Sequence, residues 1–199
     1  DYDDFRRDVI AALRSYFASG QVHVGNKAID VSGNTYRVEA DVGPFFQHKR
    51  FHEDGTHIVG VEMRPTSGGR IVNWPDQHYA NGVAKNTATG RAFKGCVRIL
   101  KALRYQMIEA GLVDSDQTSS FLIECMVYNV PNNEFRYPDW ESRLRSVLAY
   151  LYYNTLNDGL CEYWVEVSDL KYLFHPTQAW TRAGAHSFVS ECWDFVGYD

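Results

Sequence analysis

The hydrophobic period of this chain changes once, near residue 75, and that change limits the folds open to it. Before it, after one leading helix, apolar residues recur at every second position; beyond it they recur at three and four. Residues 3–18, "DDFRRDVIAALRSYFA", predict a helix with Phe5, Val9, Ala12, Leu13 and Tyr16 on its apolar stripe and Gly20 as its stop. "QVHVGNKAIDV" and "YRVEADVGPFF" predict strands joined at "SGN", and "THIVGVEM" and "RIVNW" predict two more across the turn "RPTSGG". A short helix is expected at "PDQHYANG", with Pro75 near its first turn. The strongest helix signal is "GRAFKGCVRILKALRYQMIEAG", ending at Gly111. Further helices follow at "SSFLIECMVYNV", after the capping-rich "DSDQTSS", and at "YPDWESRLRSVLAYLYYNTL", with Trp140, Leu144, Val147, Leu148 and Leu151 on one stripe. A last helix falls in the tail, where Trp180, Phe188, Cys192, Trp193 and Phe195 are candidate packing groups. Strands first and helices second make an α+β chain.

Composition excludes several classes of function. A net charge of −5 on 199 residues is not that of a general polyanion binder, so any phosphate or nucleic-acid contact must be a local basic patch. No apolar run approaches the roughly 20 residues of a membrane span. The acidic opening "DYDDFRRD" lacks the pattern of a signal peptide. Cys96, Cys125, Cys161 and Cys192 are widely separated and form no CxxC pair, which argues against zinc and for buried thiols in a reducing, cytoplasmic setting.

Three stretches could carry chemistry. In residues 36–42 a strand places Tyr36, Val38, Ala40 and Val42 on one side and Arg37, Glu39 and Asp41 on the other. Such a strand, expected over 35–42 beside 57–63, would bury its apolar set and leave Asp41 facing a cleft, either solvated or offered to a metal or nucleotide. In the long helix Arg91, Lys94, Arg98, Lys101 and Arg104 are spaced 3, 4, 3 and 3, an uncompensated cationic row beside the apolar Phe93, Val97, Leu100, Leu103 and Met107. The row is either a solvated face or a polyphosphate surface. "TSSFLIE" follows: Ser119 or Ser120 caps the next helix, and exposed amides there also suit phosphate. Phe121 either stacks on a base or enters the core. No HExxH, GxSxG or P-loop occurs, and "SGGR" at 67–70 lacks the P-loop frame. His48, Lys49 and Arg50 read as a surface cluster.

Taken together, "ADVGPFFQ", "NWPDQHYANGVAKNTATGRAFKGCVRILKALR" and "SSFLIECMVYNVPNNEF", with the later "YWVEVSDLKYLF", resemble the CD-NTases, bacterial nucleotidyltransferases similar to cyclic GMP–AMP synthase and oligoadenylate synthase. The resemblance runs over nearly the whole chain. It implies part of a nucleotidyltransferase palm sheet, with the long spine helix, over 1–110, and a helical nucleotide-binding lid over 111–199. It implies Asp41 as a catalytic, metal-holding carboxylate for Mg²⁺, oxygen ligands being what that ion requires. It implies Lys101 and Ser120 as triphosphate contacts and Phe121 as a base-stacking ring, with Lys94 and Arg98 extending the phosphate surface. The family's Gly-Ser motif is missing, and the family's first two carboxylates would lie before residue 1. Asp1–Asp3 and Asp114–Asp116 have DxD spacing but belong to a helix start and a capping loop. The chain is therefore expected to be the C-terminal portion of an enzyme that makes cyclic or linear oligonucleotide second messengers in antiphage signalling, and to be inactive alone. A catalytically dead nucleotide- or partner-binding module, and an RNA-modifying or antitoxin-type nucleotidyltransferase, are the competing readings. The expected partners are nucleoside triphosphates, with room for a regulatory protein and no role for sequence-specific nucleic acid or membrane.

Overall fold

A computed structural model describes residues 1–114 and 118–198. It divides into two compact units, 1–75 and 76–199. The first holds helix α1 (Tyr2–Phe17) and strands β1 (Val22–Val24), β2 (Ile29–Val31), β3 (Ala40–Val42), β4 (Phe46–Phe51), β5 (His57–Met63) and β6 (Ile71–Asn73). The second holds α2 (Pro75–Ala88, its first residue in unit one), α3 (Ala92–Glu109), α4 (Ser120–Tyr128), α5 (Trp140–Asn154), α6 (Asp158–Cys161) and α7 (Arg182–Phe195).

In the first unit the strands form two antiparallel three-stranded sheets, β1-β2-β3 and β4-β5-β6. The expected strand over 35–42 shrinks to Ala40–Val42, and it pairs with β2 rather than with 57–63. Its apolar set is not buried either: Tyr36 is 97% and Val38 83% exposed, and Ala40 is exposed too. A tight turn explains the difference. Asn34 and Arg37 exchange backbone hydrogen bonds, and the Asn34 side chain accepts from the Tyr36 amide, so alternation is interrupted just where the pattern needed it. Arg37 leaves the Asp41 face altogether. Its guanidinium donates to the Ser32 carbonyl and Gln21 Oε1 and lies 4.5 Å over the Phe17 ring.

The basic run at 48–50 lies within β4, a strand the apolar pattern did not predict, paired along its length with β5. Helix α1 also rotates relative to expectation. Phe5, Ala12 and Tyr16 are exposed, and Tyr2 and Arg6 are buried, with Val9, Ile10, Leu13 and Phe17 half-buried. That set still has helical spacing. Arg6 buries its stem, only 6% of the residue being exposed, because Nη2 donates to the Gly25 carbonyl at 2.6 Å. Asp1 caps the helix through the Asp4 amide, which accounts for the first DxD spacing, and the chain leaves it through Ala18 at φ 63° instead of at Gly20.

The helices of the second unit bury most of the apolar core, including Phe93, Leu100, Leu122, Met126, Leu148, Leu151, Phe188 and Val189. Leu144 and Val147 join it as the stripe predicts, whereas Trp140 is half-exposed, between Gly95 and the Arg143 guanidinium. Of the expected tail groups, Phe188 and Cys192 are buried, Trp180 and Trp193 are partly buried, and Phe195 is exposed. Helix α2 runs to Ala88, longer than its sequence pattern suggested. Two left-handed residues, Gly90 and Arg91, turn the chain from α2 into α3, so Arg91 stands outside the helix. Helix α3 ends with Gly111 at φ 70°, as predicted.

Asn129, just past α4, takes the place of a missing strand: Nδ2 donates to the Val165 carbonyl at 2.8 Å and Oδ1 accepts from the Val165 amide at 3.0 Å. All four cysteines are free and buried. Among the described residues no helix is long and apolar enough to cross a membrane. Ser115 and Asp116, two of the three residues in the second DxD spacing, lie outside the described residues.

Candidate functional site

Of the sequence-predicted site residues, Lys101, Ser120 and Phe121 lie in the second unit, on the packed helices α3 and α4. Lys101 occupies the middle of α3 and reaches α4, where its Nζ lies 3.0 Å from Glu124 Oε2. Ser120 is the first residue of α4, and Glu124 stands four residues on, along the same face. The hydroxyl that caps α4 belongs to Ser119, which accepts from the Leu122 amide at 3.0 Å. Ser120 is thereby left out of the cap, beside the unsatisfied first-turn amides. Phe121 is part of a run of rings. His78, from α2, stacks against it at 5.6 Å, and Trp180 tilts against it at 5.7 Å.

The cationic row of α3 is compensated in part, at Lys101, where its spacing suggested no compensation. Lys101 is paired with Glu124, and Arg104 is buried with its Nε donating to the Thr118 carbonyl. Lys94, two turns before Lys101, is half-buried, and Arg98, one turn before it, is exposed. The row therefore divides into an anchor at Arg104, a paired group at Lys101 and cations towards the start of the helix.

Glu124 and His78 were not singled out from sequence. Glu124 accepts from Lys101 on one oxygen, and its other oxygen, Oε1, is 3.5 Å from His78 Nε2. The His78 contact foremost, and the Lys101 bond after it, hold the carboxyl down at about 2 despite its burial. A signal was available: Glu124 is the one acid in an otherwise apolar helix, "SFLIECMVY", and a charge in such company requires a partner.

Asp41 belongs to the first unit. It is exposed, in register with Asp30 on β2, which is in turn opposite His23 on β1. Directly opposed residues share a face, so these three side chains line the polar side of a sheet whose other side buries Val22, Ile29 and Val31. Among the described residues no three His, Cys, Asp or Glu side chains gather closely enough to cage a metal ion. Asp41 offers oxygen ligands of the kind Mg²⁺ takes, but the described residues by themselves do not make a two-metal site.

Residues 80–197 match the model of the cGAS/DncV-like nucleotidyltransferase C-terminal helical domain. The chain is 40% identical over 198 residues to a cyclic dipyrimidine nucleotide synthase of Cecembia lonarensis, covering 99% of this chain and 67% of that protein. It is 36% identical over 197 residues to one of Legionella pneumophila, covering 98% and 65%. Among solved structures, the Elizabethkingia meningoseptica CdnE cyclic dinucleotide synthase with GTP and Apcpp superposes with a TM-score of 0.92 at 37% identity, over 100% of this chain and 72% of that one. The chain spans about two thirds of the length of the curated relatives it matches.

Proposed function

The chain belongs to the cGAS/DncV-like nucleotidyltransferases, and from that membership we propose that it serves the synthesis of cyclic dinucleotide second messengers from nucleoside triphosphates. In this reading the α3–α4 junction holds the donor nucleotide. Lys101 and Ser120 contact the triphosphate, Lys94 extends the phosphate surface, and Phe121 meets the base. Residues 111–199 act as the lid over the nucleotide, and Asp41 contributes one of the carboxylates that hold Mg²⁺. The messengers serve antiphage signalling in the cytoplasm, where the four free thiols stay reduced.

The reading is supported by the ammonium of mid-α3 reaching α4 at Glu124, one turn from the serine that starts α4, and by the ring of Phe121 next to that serine. A lysine offers a point charge to phosphate, a helix start offers amides, and a ring offers a face to any base. Calorimetric titration with a nonhydrolysable nucleoside triphosphate analogue tests it. Lys101→Ala should weaken binding by about 1–3 kcal/mol through the loss of a charge-assisted contact. An unchanged affinity would remove Lys101 from the site.

A further inference from the structure

We propose that Glu124 is a resident counter-anion for Lys101, occupying the ammonium while no polyphosphate is bound and competing with the triphosphate that arrives, and that His78 limits this competition. The inference rests on the nucleotide reading of Lys101 given above. Its physical basis is the division of one carboxylate between two partners. Oε2 lies 3.0 Å from Lys101 Nζ, and Oε1 lies 3.5 Å from His78 Nε2. The three groups come from three helices, α3, α4 and α2. Both neighbours of Glu124 in α4, Ile123 and Cys125, are fully buried, so packing gives no reason for a charge at this position.

A carboxylate on the helix face it shares with Ser120 is turned to the space that a triphosphate would enter in this reading. Its repulsion acts on every phosphate charge, whereas its benefit, a preordered Lys101, concerns a single side chain. Repulsion is therefore the larger effect, and the pair sets the hold on polyphosphate below what Lys101 alone would give. His78 draws on the far oxygen. Without it, Glu124 belongs to Lys101 alone and competes more strongly. His78 and Glu124 are thus positioning residues, and their removal should shift affinity in opposite directions.

The test is calorimetry on the full chain with two probes, a nonhydrolysable nucleoside triphosphate analogue and inorganic triphosphate. Glu124→Gln keeps the size of the side chain and removes its charge; Kd should fall about 3- to 10-fold for both probes. His78→Phe keeps a ring against Phe121 and removes the nitrogen; Kd should rise about 3-fold. A purely structural role would weaken binding in both variants. Equal or weaker binding by Glu124→Gln, or unchanged or tighter binding by His78→Phe, overturns the inference, and should the Gln variant not fold, Glu124→Ala, which also removes the charge, is read by the same sign. Lys101→Ala separates the two layers. If it weakens binding and cancels the Glu124→Gln effect, the counter-anion stands; if it leaves affinity unchanged, the nucleotide reading falls and the counter-anion with it.

Discussion

Glu124→Gln should also remove a defined share of the acid sensitivity of this fold. Burial alone would raise the Glu124 carboxyl, but His78 and then Lys101 favour its charged form and hold it at about 2 in place of the ordinary 4.5. A carboxyl depressed by folding contributes stability that is complete above its unfolded value, near 4.5, and is lost as pH falls through its folded value, near 2. The difference corresponds to about 3 kcal/mol at neutral pH. The side chain is 23% exposed, and solvent screening lowers the expectation to about 1–3 kcal/mol. Urea unfolding followed by far-ultraviolet circular dichroism, from about pH 6 down to about pH 2, measures it directly. The native protein should lose about 1–3 kcal/mol more than the Gln variant across that window, and the two should run parallel above it. Parallel curves down to the lowest pH would refute the reasoning, because they would mean that the His78 and Lys101 contacts do not favour the charged form.

Three other outcomes follow from the same geometry. Asn129→Ala should cost about 2–3 kcal/mol in urea unfolding, since it unpairs both the amide and the carbonyl of Val165; Asn129→Asp should recover little of this, because a carboxylate cannot donate to the carbonyl. Ser119→Ala should cost about 1 kcal/mol by uncapping α4, and Ser120→Ala should cost much less stability while weakening triphosphate binding; reversed stability effects would exchange the roles of the two serines. Residues 1–199 by themselves should convert no radiolabelled nucleoside triphosphate into oligonucleotide with Mg²⁺, and in an active longer form Asp41→Asn should abolish product while leaving the thermal midpoint unchanged, Asp41 being exposed. Turnover by this chain alone, or full activity of the Asn variant, would show that the catalytic carboxylates lie elsewhere.

The succession of strands and then helices, the start of α1, the end of α3 and much of the core of the helical unit were legible in the residues themselves. Local rules act there. Asp1 caps α1 through its side chain, Gly111 ends α3 through its left-handed backbone, and Leu144, Val147, Leu148 and Leu151 recur at a spacing that only one face of a helix can satisfy. Membership of the family was legible as well, since "VRILK" and "SSFLIE" keep their residue types and spacing along the chain. The placement of Asp41 was only partly so: Asp41 does stand on a strand, but the Asn34–Arg37 turn shortened that strand, exposed Tyr36 and Val38 and took Arg37 off the Asp41 face, and the strand pairs with β2.

Partners distant in sequence belonged to the tertiary structure. Spacing along α3 made its cations look like one uncompensated face, because periodicity records the direction of a side chain and not what waits there. The fold supplied Thr118 to Arg104 and Glu124 to Lys101. It also brought His78 to within 3.5 Å of Glu124, across forty-six positions of sequence that no local pattern connects. The Lys101 charge is in the sequence; how far it is neutralised is decided by the packing of three helices, because electrostatic energy depends on distance in space and not along the chain.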